Sequence, residues 1–276
     1  MVRLAVRVRR EDAEIVLAEL LSLAPGGVEE VDVSDGVVEY AVYGAPGELP
    51  ALPELKAVAG GALVEVLSTE VPDDWDTRWR SFHRPLVLEG GRLAVRPPWE
   101  APVGAGVELV IDPGQAFGTG GHATTRLCLE LMLGLDARGA FLDLGCGSGV
   151  LAIAAARLGW DPVAAVDFDP LAVAAATENA GVNGASLQVR RHDLRVDSLL
   201  VAPTVAANLL RPLLLAWAGR LAEGGDSLAL PDRVIASGLL VGEADEIAGA
   251  FGAVGLNEVA RRESGDWAAL LLARHP

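Results

Sequence analysis

Hydrophobic and polar positions alternate at the start of the chain, where apolar Val2, Leu4, Val6 and Val8 alternate with Arg3, Arg7 and Arg9. A period of two puts the apolar set on one face, the pattern of a half-buried strand. The period then lengthens: Asp12–Leu23 carries apolar residues at helical spacing and stops at Pro25-Gly26-Gly27. Val28–Val33 and Val37–Tyr43 flank Ser34-Asp35-Gly36, a hairpin signal. A loop rich in Gly and Pro, a short helix around Leu52–Ala59 and a strand at Ala62–Leu67 follow. Later in the chain the rhythm is different. Short strand patterns at Phe141–Leu144, Val163–Val166, Leu187–Arg190 and Thr204–Ala207 alternate with helical patterns at Leu127–Leu135, Val150–Leu158 and Leu171–Val182. Such alternation predicts a parallel sheet covered on both faces. Gly242–Phe251 reads as a last helix. Gly255–Arg262 and Trp267–Ala273, joined across Glu263–Asp266, read as an antiparallel hairpin at the sheet edge.

The opening order β-α-β-β-α-β matches the ferredoxin-like motif, so residues 1–68 are expected to form a small α+β domain. It holds no ligand motif and reads as a recognition or interaction module. In Pro72–His83 two Trp and a Phe stand among charges, and Trp75, Trp79 and Phe82 fall at i, i+4 and i+7. That spacing is one helix face, suited to a linker helix docked through its aromatic side, which would also set how far two domains swing. Leu86–Val95 reads as a hairpin around Glu89-Gly90-Gly91, and Val107–Ile111 as a strand. Residues 69–100 are therefore assigned to a linker helix and hairpin, and residues 101–276 to the α/β domain.

Between the strand Phe141–Leu144 and the helix Val150–Leu158 stand Gly145, Gly147 and Gly149. Glycines suit a backbone that turns tightly and lets a ligand approach where a Cβ would collide. The helix that follows offers an electropositive N-terminus with free N–H donors. The second strand ends on Asp167, twenty-two residues after Gly145. A carboxylate at that tip can accept hydrogen bonds from a ribose diol. Dinucleotide folds use G-x-G-x-x-G, whereas this run is G-x-G-x-G with Asp143 in front, DLGCGSG. It resembles the first motif of class I S-adenosylmethionine-dependent methyltransferases, a resemblance that implies a loop holding the methionine part of the cofactor and an acid holding its ribose. Asp193 lies past the third strand, placed to accept from the adenine amino group as an acid often does in that superfamily; a solvated turn acid fits the position equally. His192 beside it is expected at the surface.

Thr204–Ala207 runs into Asn208-Leu209-Leu210-Arg211-Pro212. The C-terminal ends of strands are where open α/β sheets place ligands, and an Asn there offers both an acceptor and a donor. The plain alternative is a turn Asn before a helix. The position resembles the Asn/Asp-Pro-Pro-Tyr site of methyltransferases acting on planar or primary nitrogen, with Leu-Leu in place of Pro-Pro. In Asp112–Thr125, DPGQAFGTGGHATT, four glycines form a loop leading to Thr124-Thr125 and a helix. A Thr at a helix start commonly serves as an N-cap, and the loop could fold over a cofactor as a lid.

Together DPGQAFGTGGHATTRLCLELM, DLGCGSGVLAIAAARLG, VDFDPLAV, ANLL and the linker DWDTRWRSFHRPL resemble the PrmA family, methyltransferases of large-subunit ribosomal protein eleven. Gly121 and Ala123 stand where other members often carry a Thr or His and a Pro or Glu. Asp226–Arg233 is longer than the compact strand usual there. The resemblance implies an α/β fold: a Rossmann-like seven-stranded class I methyltransferase domain preceded by a small ferredoxin-like α+β domain. It implies S-adenosylmethionine as cofactor, contacted by Thr125, Gly145, Asp167 and Asn208. Gly147 belongs to the same glycine loop and Asp193 to the adenine end. Asn208 is the residue expected to act on the nucleophile.

The formal net charge of −16 disfavours a nucleic-acid substrate and favours a basic partner, although acidity also simply keeps a protein soluble. Met1–Arg10 is charged throughout, with no apolar h-region after it, and no uninterrupted apolar run reaches membrane-spanning length. Cys128 and Cys146 alone make no disulfide framework and no Cys-rich zinc site. A cytoplasmic, soluble monomer that binds no membrane is expected. The expected reaction moves methyl groups to lysine side chains, an N-terminal α-amine, or both, on a basic ribosomal protein. Another protein or small-molecule amine is the alternative acceptor; a nicotinamide oxidoreductase and a non-catalytic binding module are the alternatives of other classes.

Overall fold

The computed structural model describes residues 2–13, 16, 17, 20, 28–34, 36–44, 63–70, 84–112, 122–224 and 230–274. The chain divides into two compact units, Met1–Phe82 and His83–Pro276. In the first, β1 (Val2–Arg9), β2 (Glu29–Ser34), β3 (Val37–Gly44) and β4 (Leu63–Glu70) form an antiparallel sheet of order β2-β3-β1-β4. The alternation in β1 is what divides its faces. Leu4, Val6 and Val8 bury with Val38, Tyr40 and Val42, and with Ala13, Val16 and Leu20. On the other face Arg3 and Arg7 reach Glu39 at 2.6 and 2.7 Å, and extend to Glu29 and Glu65. Burial opposes charge on Glu39, yet the two guanidiniums hold its carboxyl below the usual range. Most of the expected helix Asp12–Leu23, the whole of Leu52–Ala59 and the aromatic linker Pro72–His83 lie outside the described residues.

The second unit opens with a small sheet, β5 (Leu86–Leu88) antiparallel to β6 (Leu93–Arg96), which is parallel to β7 (Val107–Val110). The hairpin assigned from sequence to the linker thus lies in this unit, because Leu88, Leu93 and Val95 share one core with Leu109 and Ile111. There follow α1 (Ala123–Leu133), β8 (Phe141–Leu144), α2 (Val150–Leu158), β9 (Val163–Asp167), α3 (Pro170–Val182), β10 (Gln188–Arg191) and β11 (Thr204–Asn208). The unit ends with α4 (Arg211–Glu223), β12 (Arg233–Leu240), α5 (Ala244–Gly252), β13 (Leu256–Ser264) and β14 (Trp267–Arg274). Seven strands make one sheet of order β10-β9-β8-β11-β12-β14-β13. The first five run parallel, and β14 runs antiparallel to both β12 and β13. This is the seven-stranded α/β architecture expected from the sequence.

Period-two side chains divide the interior into two cores. Phe141, Ala206, Ile235 and Ala269 face α1 and α2, whereas Leu142, Val205, Val234 and Leu270 face α4 and α5. Trp160 lies against Phe141 and Trp217 against Phe251, each pair with ring centroids 5.4 Å apart. Burying such a large apolar side chain is worth about 1.5–3 kcal/mol, so these rings fix the sheet against its helices.

One expectation needs correcting. Helix α1 starts at Ala123, four residues before Leu127, and its N-cap is His122, not a threonine: the imidazole Nδ1 accepts from the Thr124 N–H at 3.3 Å. Strand β12 was not marked by an apolar run, because RVIASGLL is broken by Ser237 and Gly238. Residues 225–229 lie outside the described residues, so of the long segment Asp226–Arg233 only the last four are seen. Among the described residues no helix is long and apolar enough to cross a membrane.

Candidate functional site

Chain order reverses across the sheet between β8 and β11, and the crevice past the C-terminal ends of such neighbouring strands is where open α/β sheets bind ligands. The glycine loop leaves β8 there. Gly145, Gly147 and Gly149 all have positive φ, 70°, 51° and 80°, which explains the glycine at each alternate position. The turn is stitched to β9: the N–H groups of Gly145 and Cys146 donate to Val166 O at 2.8 and 3.0 Å. A Cβ on Gly149 would lie 2.9 Å from that of Ala176, so this glycine also lets α2 and α3 approach.

Asp167, buried at the end of β9, accepts from the Gly147 N–H through Oδ2 and from the Asp169 N–H through Oδ1, both at 3.0 Å. The acid read from its spacing as a sugar ligand is therefore also what holds the loop. Asp143, at the β8 end, is 1% exposed; its Oδ2 accepts from the Ala152 N–H at 3.0 Å, and its Oδ1 has no partner among the described residues. Burial pushes this carboxyl up to about 7, against the pull of the Ala152 N–H and with some help from the charge of Asp167. Cys128 and Cys146 lie nearby, and burial holds both thiols protonated, Cys128 up to about 12.

Asn208 ends β11, half-buried. Its Nδ2 donates to Thr125 Oγ1 at 3.4 Å, and its Oδ1 is buried with no partner among the described residues. Thr125 is 1% exposed, in the first turn of α1. The turn is steadied by His122, whose ring meets Trp267 edge-on at 4.8 Å and whose Nδ1 is 2.8 Å from Thr124 Oγ1. Burial lowers the His122 pKa, which favours the neutral ring that can accept at a helix N-terminus. Past Asn208, the Leu209 N–H donates to Ser237 O at 2.9 Å. The Leu209 side chain covers Gly145, where an added Cβ would sit 2.3 Å from Leu209 Cδ2. Thr125, Asn208, Gly145, Gly147 and Asp167 are thus linked in one constellation.

Asp193 follows β10 on the same sheet edge, but its carboxylate is taken by Arg195, at 2.9 Å from Nε and 2.7 Å from Nη2. Those bonds hold its pKa below the usual carboxylate range. The Arg195 guanidinium also lies 5.5 Å from the ring centroid of Phe168, which is exposed beside Asp167. His192, expected at the surface, is instead 8% exposed, and its backbone N–H donates to Asp167 O at 2.8 Å, extending the pairing of β10 with β9 by one bond. Residues 113–121, the body of the possible lid, lie outside the described residues.

Two asparagines passed unnoticed in the sequence. Asn179 on α3 donates to Ser148 O in the glycine loop at 2.9 Å and accepts from the Asp112 N–H at 3.2 Å. Asn183, one turn on, exchanges both hydrogen bonds with the backbone of Val110 at 2.8 and 2.7 Å. They tie the glycine loop and the entrance of the DPGQAFGTGGH segment to one helix. Polar amides at i, i+4 in an otherwise alanine-rich helix were the available signal.

Sequence comparison places these features among known proteins. The profile of the family described as "Ribosomal protein L11 methyltransferase (PrmA)" matches residues 53–275. A ribosomal protein L11 methyltransferase of Pelotomaculum thermopropionicum is 36% identical over 301 residues, 97% of this chain and 96% of that protein. One from Symbiobacterium thermophilum is 39% identical over 206 residues, 72% of this chain and 65% of the relative's length. Among solved structures, the crystal structure of ribosomal protein L11 methylase from Lactobacillus delbrueckii subsp. bulgaricus superposes with a TM-score of 0.61 at 29% identity. That match covers 70% of this chain and all of the other.

Proposed function

This chain belongs to the ribosomal protein L11 methyltransferase family, and from that premise we propose that it transfers methyl groups from S-adenosylmethionine to amino groups of ribosomal protein L11. The observation that carries the reading is the Oδ1 of Asn208, buried without a partner among the described residues, next to the Leu209 side chain that lies over Gly145 of the glycine loop. The residues fit the cofactor: the loop at Gly145 and Gly147 would take its methionine part and Asp167 its ribose, with Thr125 and Asn208 flanking the reactive end. Asp193, its carboxylate engaged by Arg195, would meet the adenine amino group through the lone pairs that Arg195 leaves open. S-adenosylmethionine supplies an electrophilic methyl on a sulfonium. The chain's own residues then have to position an amine in line with that methyl and exclude water. The amine must be neutral to attack, and a dry site beside a cation favours the neutral form without a dedicated base. Both cysteines are buried, and burial holds their thiols protonated.

The acceptor is taken to be basic, which the formal charge of −16 suits, and the first unit is taken to recognise it. Incubation with labelled S-adenosylmethionine and L11, followed by mass spectrometry, should place the label on lysine or α-amino nitrogens. The second-order rate should fall as salt rises, since exposed charges are screened beyond roughly 8–10 Å at physiological ionic strength. Label on other proteins but not on L11 would overturn the substrate assignment.

Asp167→Ala should weaken S-adenosylmethionine binding by about 1.5–3 kcal/mol, the usual worth of hydrogen bonds to a charged group. The same change frees the Gly147 N–H, so the loss should appear in calorimetry even with cofactor fragments that lack the ribose. An unchanged affinity in the folded variant would remove Asp167 from the site.

A further inference from the structure

Asp143, penultimate in β8, and Asp167, last in β9, are buried carboxyls on two adjacent parallel strands, close enough to feel one another's charge, and their surroundings are unequal. Asp167 receives two backbone N–H groups, from Gly147 and Asp169. Asp143 receives one, from Ala152, while its Oδ1 is buried without a partner among the described residues. A buried carboxylate with an empty acceptor is costly, and of two carboxyls in such a place the one with fewer donors keeps the proton. The groups around Asp143 do not reverse this. From α1 and the glycine loop come the thiols of Cys128 and Cys146, both held neutral, and from β9 comes the negative charge of Asp167. Ser237 of β12 bonds Cys128 and the Ala268 carbonyl, His192 just past β10 gives its backbone N–H to Asp167 O, and β11 presents Ala206 alongside. Among the described residues, the N-terminus of α2, through Ala152, is what favours the anion.

We infer that Asp143 carries a proton in the free protein and releases it to solvent when the cationic cofactor binds, so that the site discriminates S-adenosylmethionine from its demethylated product by charge. This rests on the cofactor reading above. S-adenosylmethionine has one more positive charge than S-adenosylhomocysteine, the sulfonium. That charge, brought to the loop Asp143 precedes, acts in a low-dielectric site and offsets what burial costs the anion. Transfer of the methyl removes the sulfonium charge. Asp143 then takes a proton back from solvent, and the balance that favoured the bound cofactor over the bound product is gone.

Calorimetry on the full chain in buffers of different ionisation enthalpy tests this. Near pH 6.5, S-adenosylmethionine binding should release close to ~1 proton and S-adenosylhomocysteine binding far less. The ratio of the two dissociation constants should shift about tenfold in favour of S-adenosylmethionine between pH 6 and pH 8. The ligands' own α-amino groups, which titrate near ~8, largely cancel in that ratio. Asp143→Asn, which mimics the protonated acid, should still bind both ligands but with no proton release and a flat ratio. No release by the unaltered protein, or undiminished release by the Asn variant, overturns the inference. The ratio on the unaltered protein decides the matter even if the variant does not fold. Failure to bind either ligand at any pH overturns the cofactor reading itself.

Discussion

Asn208→Ala should lower kcat by about 10²-fold, the scale of losing one contact that aims a nucleophile, while leaving the cofactor Kd within a few-fold. The asymmetry follows from the site. The side chain offers a buried Oδ1 with no partner among the described residues, and its Nδ2 meets Thr125 Oγ1 at 3.4 Å, which leaves the oxygen available to an incoming N–H. A hydrogen bond that aims an amine lone pair at a methyl group matters mainly in the transition state. Asn208→Asp is sharper. A carboxylate still accepts the bond, but it stabilises the protonated amine and so withholds the reactive neutral form. The Asp variant should lose rate at neutral pH and recover part of it as pH rises. Single-turnover kinetics across pH, with the cofactor Kd measured alongside, separate the two effects. Wild-type kcat with only weaker cofactor binding in both variants would make Asn208 a binding residue and place amine orientation elsewhere.

Gly238→Ala should be the most damaging single methyl in the second unit. Gly238 has φ 83° inside β12, at the point where pairing with β14 shifts register. A Cβ there would lie 2.5 Å from Leu209 O, 2.8 Å from Leu209 C and 3.0 Å from Leu209 N. The obstacle is backbone, so no rotamer change relieves it. A left-handed alanine and an overpacked contact together cost on the order of 3 kcal/mol, or roughly 6–12 °C in the melting temperature of a domain this size. Because Leu209 directly follows Asn208, the displacement should also reach the site and reduce kcat in whatever fraction folds. Gly219→Ala is the control: it lies in α4 with nothing within 4 Å of its Cβ, and should be neutral or slightly stabilising. Thermal melts of the two proteins, run side by side, check the contrast; equal melting temperatures would mean that the strand gives way more easily than its geometry implies.

Sequence alone determined the repeating architecture and the local chemistry of this chain. The strand, glycine turn, helix and terminal acid from Phe141 to Asp167 were legible because each depends on nearby residues: an apolar run, φ signs only glycine adopts readily, helix formers and a fixed spacing. The hairpins at Val28–Tyr43 and Gly255–Ala273 were legible for the same reason, since a short polar turn between two apolar strands specifies its own closure. Tertiary structure decided what distant segments do to one another. Strand β12 carries no strong pattern of its own, and Ser237 and Gly238 make sense only once Leu209 is seen against them. His192 looked exposed as a polar residue past a strand; in the fold it is buried, with its backbone N–H on Asp167 O. Asn179 and Asn183 looked like ordinary helix polar positions until the backbones of Ser148, Asp112 and Val110 arrived to need their hydrogen bonds. Asp143 was visible as part of a motif, but its unequal standing beside Asp167 depends on which backbone N–H groups reach each carboxylate. That count is set by the folding of a loop and two helices around them, and spacing in a linear chain does not contain it.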